Sequence, residues 1–141
     1  MIGARLLLAA LLAAPAADPS GSIEIAVTGV RTAEGRVHVD ICPEAHFLKE
    51  DCPWSGEAPA RIGATVVVVR GVPPGRYAAQ GFHDRNGNGT VDRNLIGIPT
   101  EGIGFSNDAK IRLGPPKFAD AAFDHGPGDQ RIAFRLRHMA G

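Results

Sequence analysis

Net charge is the first thing this chain lacks: 15 Lys and Arg are matched by 15 Asp and Glu. A near-neutral chain without a run of basic residues carries no electrostatic footprint for nucleic acid or an anionic lipid surface. No nucleic-acid partner is expected. Grouped histidines are missing too. His38, His46, His83, His125 and His138 are scattered, with no H-E-x-x-H and no G-x-S-x-G anywhere in the chain. The strings that mark zinc and serine hydrolases are therefore absent. Aromatic residues make up only 6%, with one Trp and one Tyr, and single aromatics are more often core or loop anchors than ligand-stacking groups. No segment repeats apolar residues at helical spacing over the length of a helix.

The longest apolar stretch stands at the start, where Arg5 is followed by Leu6 to Ala14. That is shorter than the roughly 20 residues a hydrocarbon core requires, so no membrane span is expected. A positive charge, a short apolar run and the small-residue site Ala14-Pro15-Ala16 make up a secretory signal. Residues 1–17 are read as a signal peptide, cleaved after Ala16 or Ala17, and 18–141 as a single domain. No Cys follows the apolar run to accept a lipid. Loss of Arg5 leaves 14 basic residues against 15 acidic ones. The expected location is periplasmic or secreted.

Cysteine is scarce as well. Cys42 and Cys52 are the only two, and an even count at close spacing in an oxidising compartment reads as one disulfide. A metal or redox pair would need C-x-x-C spacing or further ligands, and His46 alone does not supply them.

Gly and Pro together account for 29 of 141 residues, the mark of a turn-rich architecture. Between the turns, apolar residues recur with period two: Ile23, Ile25 and Val27; Val37, Val39 and Ile41; Ile132, Phe134 and Leu136. The first two runs, joined at Ala33 to Gly35, read as a hairpin, with His38 and Asp40 on its wet face. Thr65 to Val69 is continuously β-branched and reads as a strand buried on both faces. Arg76 to His83 returns from a Pro-Gly turn as another strand. A short strand is expected over Ala109 to Leu113, and Phe118 to Phe123 fits either a helical turn or a strand. The whole predicts an all-β fold, a single antiparallel sandwich of about seven strands, transthyretin-like or immunoglobulin-like.

The stretch with most chemical content is the glycine-rich loop after His83. Oxygen-bearing side chains alternate at Asp84, Asn86, Asn88 and Asp92, and Gly89 sits at the sixth position of the loop. Ca²⁺ takes six to eight oxygens, and calcium loops supply them from alternate positions around a sharp turn at position six. Thr90 would add its backbone carbonyl. The twelfth position is Leu95, so this is no complete EF-hand, and Glu101 is the candidate for the missing strong ligand. The same residues also favour plain tight turns, since Asn-Gly pairs and Asx caps need no metal.

The strings His83-Asp84-x-Asn86-x-Asn88-Gly89-x-x-Asp92 and Gly97-x-Pro99-x-Glu101-Gly102-x-Gly104-Phe105-Ser106, with Phe118-Ala-Asp120-Ala121 beyond, resemble the bacterial "domain of unknown function 2141" family. The resemblance covers nearly the whole mature chain and implies a small exported protein without assigned activity. The turn Val72-Pro73-Pro74-Gly75-x-Tyr77 is similar to those of transthyretin-like and carboxypeptidase-regulatory-type sandwiches.

Three function classes follow. One is a non-enzymatic envelope domain, binding or structural, with a calcium loop and an unidentified envelope partner or ligand. Another is a small hydrolase using His83, Asp84 and Glu101. The third is a receptor stacking its ligand on Phe47, Trp54 or Phe105.

Overall fold

Strand β1 (Gly21–Val30) buries Ile23, Ile25 and Val27 completely while Glu24 and Ala26 turn partly outward, as a period-two strand must. Strand β2 (Arg36–Cys42) does the same with Val37, Val39 and Ile41. The remaining strands are β3 (Trp54–Pro59), β4 (Gly63–Val72), β5 (Gly75–Asp84), β6 (Ile103–Phe105), β7 (Ala122–His125) and β8 (Gln130–Arg135), with one short helix, α1 (Phe118–Ala121), before β7. This computed structural model describes Gly3 and residues 20–139. Apart from Gly3, the expected signal peptide, with Ala16 and Ala17, lies outside the described residues.

The strands form two sheets in a sandwich-like, all-β arrangement. The smaller runs β4-β1-β8; the larger runs β3-β2-β5-β6, with β7 pairing the other end of β5. Their facing sides share one apolar core built from Ile23, Ile25, Ile41, Val67, Val69 and Phe134 among others. At one margin β3 and β4 come so close that a Cβ on Gly56 would stand 2.4 Å from the Val68 carbonyl oxygen. At the other, Ile103 and Arg137 exchange backbone hydrogen bonds of 3.0 and 2.6 Å. The sandwich is thus pinched along both edges.

Four sequence expectations are corrected. The runs containing Ile25 and Val39 do not form a hairpin: β1 and β2 belong to different sheets. Both point apolar faces into one core, and alternation does not distinguish facing strands from paired ones. The sandwich is not wholly antiparallel, because β8 runs parallel to β1; a period of two carries no direction. Thr65 to Val69 is not covered on both faces. It lies on an edge strand with Val66 48% exposed, its β-branched side chains favouring the extended backbone wherever they point. Finally, 109–113 forms no strand, and the described residues form eight strands, of which the Gly- and Pro-rich passages conceal β3 and β6 from the sequence pattern. The ambiguous run Phe118 to Phe123 resolves into both readings, α1 and then the start of β7.

Candidate functional site

The outer face of the larger sheet is where the chain's polar chemistry gathers. Register places Glu57, His38, Phe82 and Ile103 in one row across β3, β2, β5 and β6, and Ser55, Asp40, Gln80 and Phe105 in the next. At one end this face is roofed by a second apolar cluster of Cys42, Phe47, Ala78, Phe105 and Ala121. The disulfide belongs to it: Cys42 and Cys52 are bonded, with Cα atoms 5.0 Å apart. At the other end the loop after Asp84 rises over the sheet. Between the two roofs lies a cleft of about 350 Å³. Leu48, Lys49 and Glu50 of the disulfide loop form one wall, and Gly89, Thr90, Val91 and Arg93 form the other.

Phe82, Ile103 and Phe105 make the cleft floor partly apolar, while a chain of side-chain hydrogen bonds makes the rest polar. Arg36 Nε donates to Glu57 at 3.0 Å. His38 has Nδ1 2.9 Å from Glu57 Oε1 and Nε2 2.7 Å from Asp40 Oδ1, and Gln80 Nε2 donates to Asp40 Oδ2 at 3.2 Å. Gln80 then reaches the wall, accepting the Leu48 N–H at 2.8 Å and donating to the Lys49 carbonyl at 2.9 Å. Leu48 sits in the left-handed region, φ 67°, a conformation unfavourable for a side chain of its kind; the Gln80 bonds help hold it there. Asp40, opposed by burial and helped by Glu57, holds the His38 imidazole above its ordinary pKa. With a carboxylate on each ring nitrogen, only the doubly protonated ring donates to both.

The loop side is organised by carboxylates meeting backbone N–H groups. Asp84, buried at 3% exposure, accepts Asn88 N at 3.1 Å and Gly89 N at 2.8 Å. Asn86 and Asn88 each donate a side-chain amide to Asp92 at 2.6 Å, one to each carboxylate oxygen. Thr90 N donates to Asn88 Oδ1 at 3.1 Å. Glu101, 5% exposed, accepts Arg85 N on one oxygen at 2.9 Å and Asp92 N on the other at 3.0 Å, tying together the two ends of the loop. Gly35 presses against the same neck, where a Cβ would stand 2.1 Å from the Asp84 carbonyl oxygen.

The structure therefore brings Asp84, Asn86, Asn88, Thr90 and Asp92 into one loop, with Glu101 at its base. A cation there would share Glu101 with two N–H groups. It would also require the amides of Asn86 and Asn88 to turn their oxygens inward. Among the described residues no three His, Cys, Asp or Glu side chains gather into a metal-binding group. Any cation in this loop would have to draw on amide and backbone carbonyl oxygens as well as carboxylates.

The family model described as "Uncharacterized protein conserved in bacteria (DUF2141)" matches residues 25–133. The chain belongs to the DUF2141 family. The match runs from within β1 into β8 and so contains the cleft and the loop whole. No curated protein and no solved structure matches the chain.

The other expectations fare unevenly in this DUF2141 chain. His83 and Asp84 are successive strand residues and point to opposite faces. His83 Nε2 donates to the Glu34 carbonyl at 2.6 Å, while both oxygens of Asp84 and both of Glu101 face backbone N–H groups. Nothing in this geometry assembles the three into a hydrolytic site. Phe47 packs edge-on against Phe105 and Phe118, and Trp54 against Tyr77, so all three aromatics proposed for stacking take part in the apolar clusters, Phe105 also lining the cleft. Sequence reasoning overlooked Phe82 and Gln80. Only the β2–β5 register places Phe82 and Gln80 on one face with His38 and Asp40, and no local sequence signal records that pairing. No helix of the described residues is long and apolar enough to cross a membrane.

Proposed function

We propose that this DUF2141 chain is an exported, non-enzymatic binding domain of the cell envelope, periplasmic or secreted. Its ligand site is the cleft on the outer face of the larger sheet. One observation carries the reading: a concavity of about 350 Å³, within the range of small-molecule sites, lies between two loops that are each fastened. The disulfide and Gln80 fasten one wall; Glu101 fastens the other. A floor of Phe82 beside Asp40 suits a small ligand with one flat apolar part and one hydrogen-bonding end.

The Asp84–Asp92 loop is a weak, calcium-responsive wall of that cleft, because Gly89 and Thr90 belong both to the loop and to the lining. Ca²⁺ binding on the order of 10⁻⁴ to 10⁻³ M suits an extracellular module with few carboxylates.

A fragment screen by NMR on the purified mature chain tests the site. Aromatic fragments with a polar end should shift the signals of His38, Gln80 and Phe82, and Ser55→Trp, which fills the cleft from its rim, should suppress those shifts. Fragment shifts that ignore Ser55→Trp, or that fall elsewhere, reject the cleft.

A further inference from the structure

At the far end of the smaller sheet the chain's charge balance breaks down locally. Arg131, Arg135 and Arg137 alternate outward along β8 and its continuation. Arg131 stands opposite Glu24 on β1 and pairs with it, Nε to Oε2 2.7 Å. Two residues of the same face further on, Arg135 stands opposite Thr28 instead. Asp108 accepts the Arg135 backbone N–H at 2.8 Å, and neither Arg135 nor Arg137 forms an ion pair among the described residues.

The backbone here is shaped to bring in a third guanidinium. β1 loses register with β4 between Thr28 and Val30, at Gly29 with φ 73°. That bulge turns the chain so that Arg31 joins Arg135, Arg137 and His138 around a solvent-open cavity of about 280 Å³. Burial first, and then the charges of Arg31, His83, Arg135 and Arg85, hold His138 below its ordinary pKa. Three guanidinium groups and His138 gather at this concave site, with Asp108 bound to the Arg135 backbone rather than its guanidinium.

We infer that the Arg31–Arg135–Arg137–His138 cavity binds a multiply charged phosphate-type oxyanion. Guanidinium groups match tetrahedral oxyanions through paired N–H donors. Unlike Arg131, whose guanidinium is paired with Glu24, these arginines form no ion pair among the described residues, and Asp108 meets Arg135 only through its backbone N–H. The site is separate from the cleft and does not depend on it. The source of the phosphate, a soluble ion or ester or a lipid headgroup, is left to the measurement.

The experiment titrates isotope-labelled mature protein with inorganic phosphate and with pyrophosphate, following amide and Arg side-chain signals. Sedimentation with phosphatidylcholine vesicles, with and without phosphatidic acid, forms the second arm. Saturable shifts should centre on Arg31, Arg135, Arg137 and His138. Affinity should fall at least about tenfold in R31Q/R137Q, the loss expected for charge-assisted hydrogen bonds, and stay unchanged in R131Q. The melting temperature of R31Q/R137Q controls for folding, and the backbone bonds between Arg137 and Ile103 do not involve the altered side chain. Binding to phosphatidic acid vesicles that needs Arg31 and Arg137 identifies a headgroup; phosphate binding without vesicle binding identifies a soluble ligand. Non-saturating shifts, equal losses in R131Q, or no binding in either arm overturns the inference.

Discussion

His38 Nε2 lies 2.7 Å from Asp40 Oδ1 while the opposite ring nitrogen lies 2.9 Å from Glu57. Three strands meet through that one ring, since Glu57 is on β3 and Asp40 passes the contact to Gln80 on β5. The folded pKa of His38 is raised from 6.5, so the native state binds a proton the unfolded chain has begun to lose. The stabilisation is complete below pH about 6.5 and fades as pH climbs through the raised value. Glu57 is held below its ordinary pKa, chiefly by His38, so its share is present above its unfolded value and lost in acid. His138, held below its ordinary pKa, contributes with the opposite sign, so the check is the difference between chains. In denaturant melts the native chain should lose stability relative to His38→Gln as pH rises from mildly acidic to alkaline. A slope unchanged in His38→Gln would place the titration elsewhere.

Phe134 occupies a window made by two glycines. Gly81 and Gly104 are paired across β5 and β6, and a Cβ on either would stand 2.7 or 2.8 Å from the Phe134 ring. Gly81→Ala should therefore cost about 1–3 kcal/mol through overpacking. Combined with Phe134→Leu, it should cost less than the two separate losses added together. Additive losses in the double variant would show that the ring is not what excludes the methyl group.

The disulfide closes a separation of ten residues and also carries the outer apolar cluster of Phe47 and Phe105. Cys42→Ser/Cys52→Ser should lower stability by roughly 3 kcal/mol on the chain-entropy account. The Leu48 to Glu50 wall should gain the fastest amide exchange. Thiol labelling of native protein without reductant should find no free cysteine, and two labelled thiols in folded material would defeat the assignment.

Cleavage after Ala16 or Ala17 is expected from the apolar run before them. Intact mass of protein recovered from the envelope is the check, and a mature product retaining Met1 would refute it.

What was legible in the sequence was whatever local periodicity encodes. Ile23, Val39 and Phe134 announced strands because each alternates with polar or small neighbours, and the even cysteine count with the export reading announced the disulfide. Pairing was not legible. β1 and β8 lie side by side with more than 100 residues between Ile25 and Ile132, and no turn residue records that meeting. The cleft escaped for the same reason, since its floor is assembled from β2, β5 and β6. Conversely, the Asp84–Asp92 loop could be read directly because its oxygens are close in sequence. Glu101 was named from the sequence as well; what stayed hidden was its engagement of the Arg85 and Asp92 backbone N–H groups, which depends on the fold.

That engagement separates three carboxylates by a single measurement, the melting temperature with Ca²⁺ and with chelator. Asp84 and Glu101 are buried and each accepts two backbone N–H groups. Removing either acceptor leaves those donors unmatched, so Asp84→Ala and Glu101→Ala should each cost about 1–3 kcal/mol even without calcium. Asp92 is half-buried, and among the described residues its carboxylate accepts from the Asn86 and Asn88 amides, which water can replace. Asp92→Asn should therefore leave the calcium-free melting temperature nearly unchanged and abolish the calcium response. In the native chain, free Ca²⁺ at 100 times the dissociation constant should add about 2.7 kcal/mol. Mg²⁺ should add little, because it demands tight octahedral geometry that a glycine-rich loop does not provide. A native melting temperature indifferent to millimolar Ca²⁺ would reduce the loop to a turn held by Asp84 and clamped by Glu101, leaving the cleft without a metal-dependent wall.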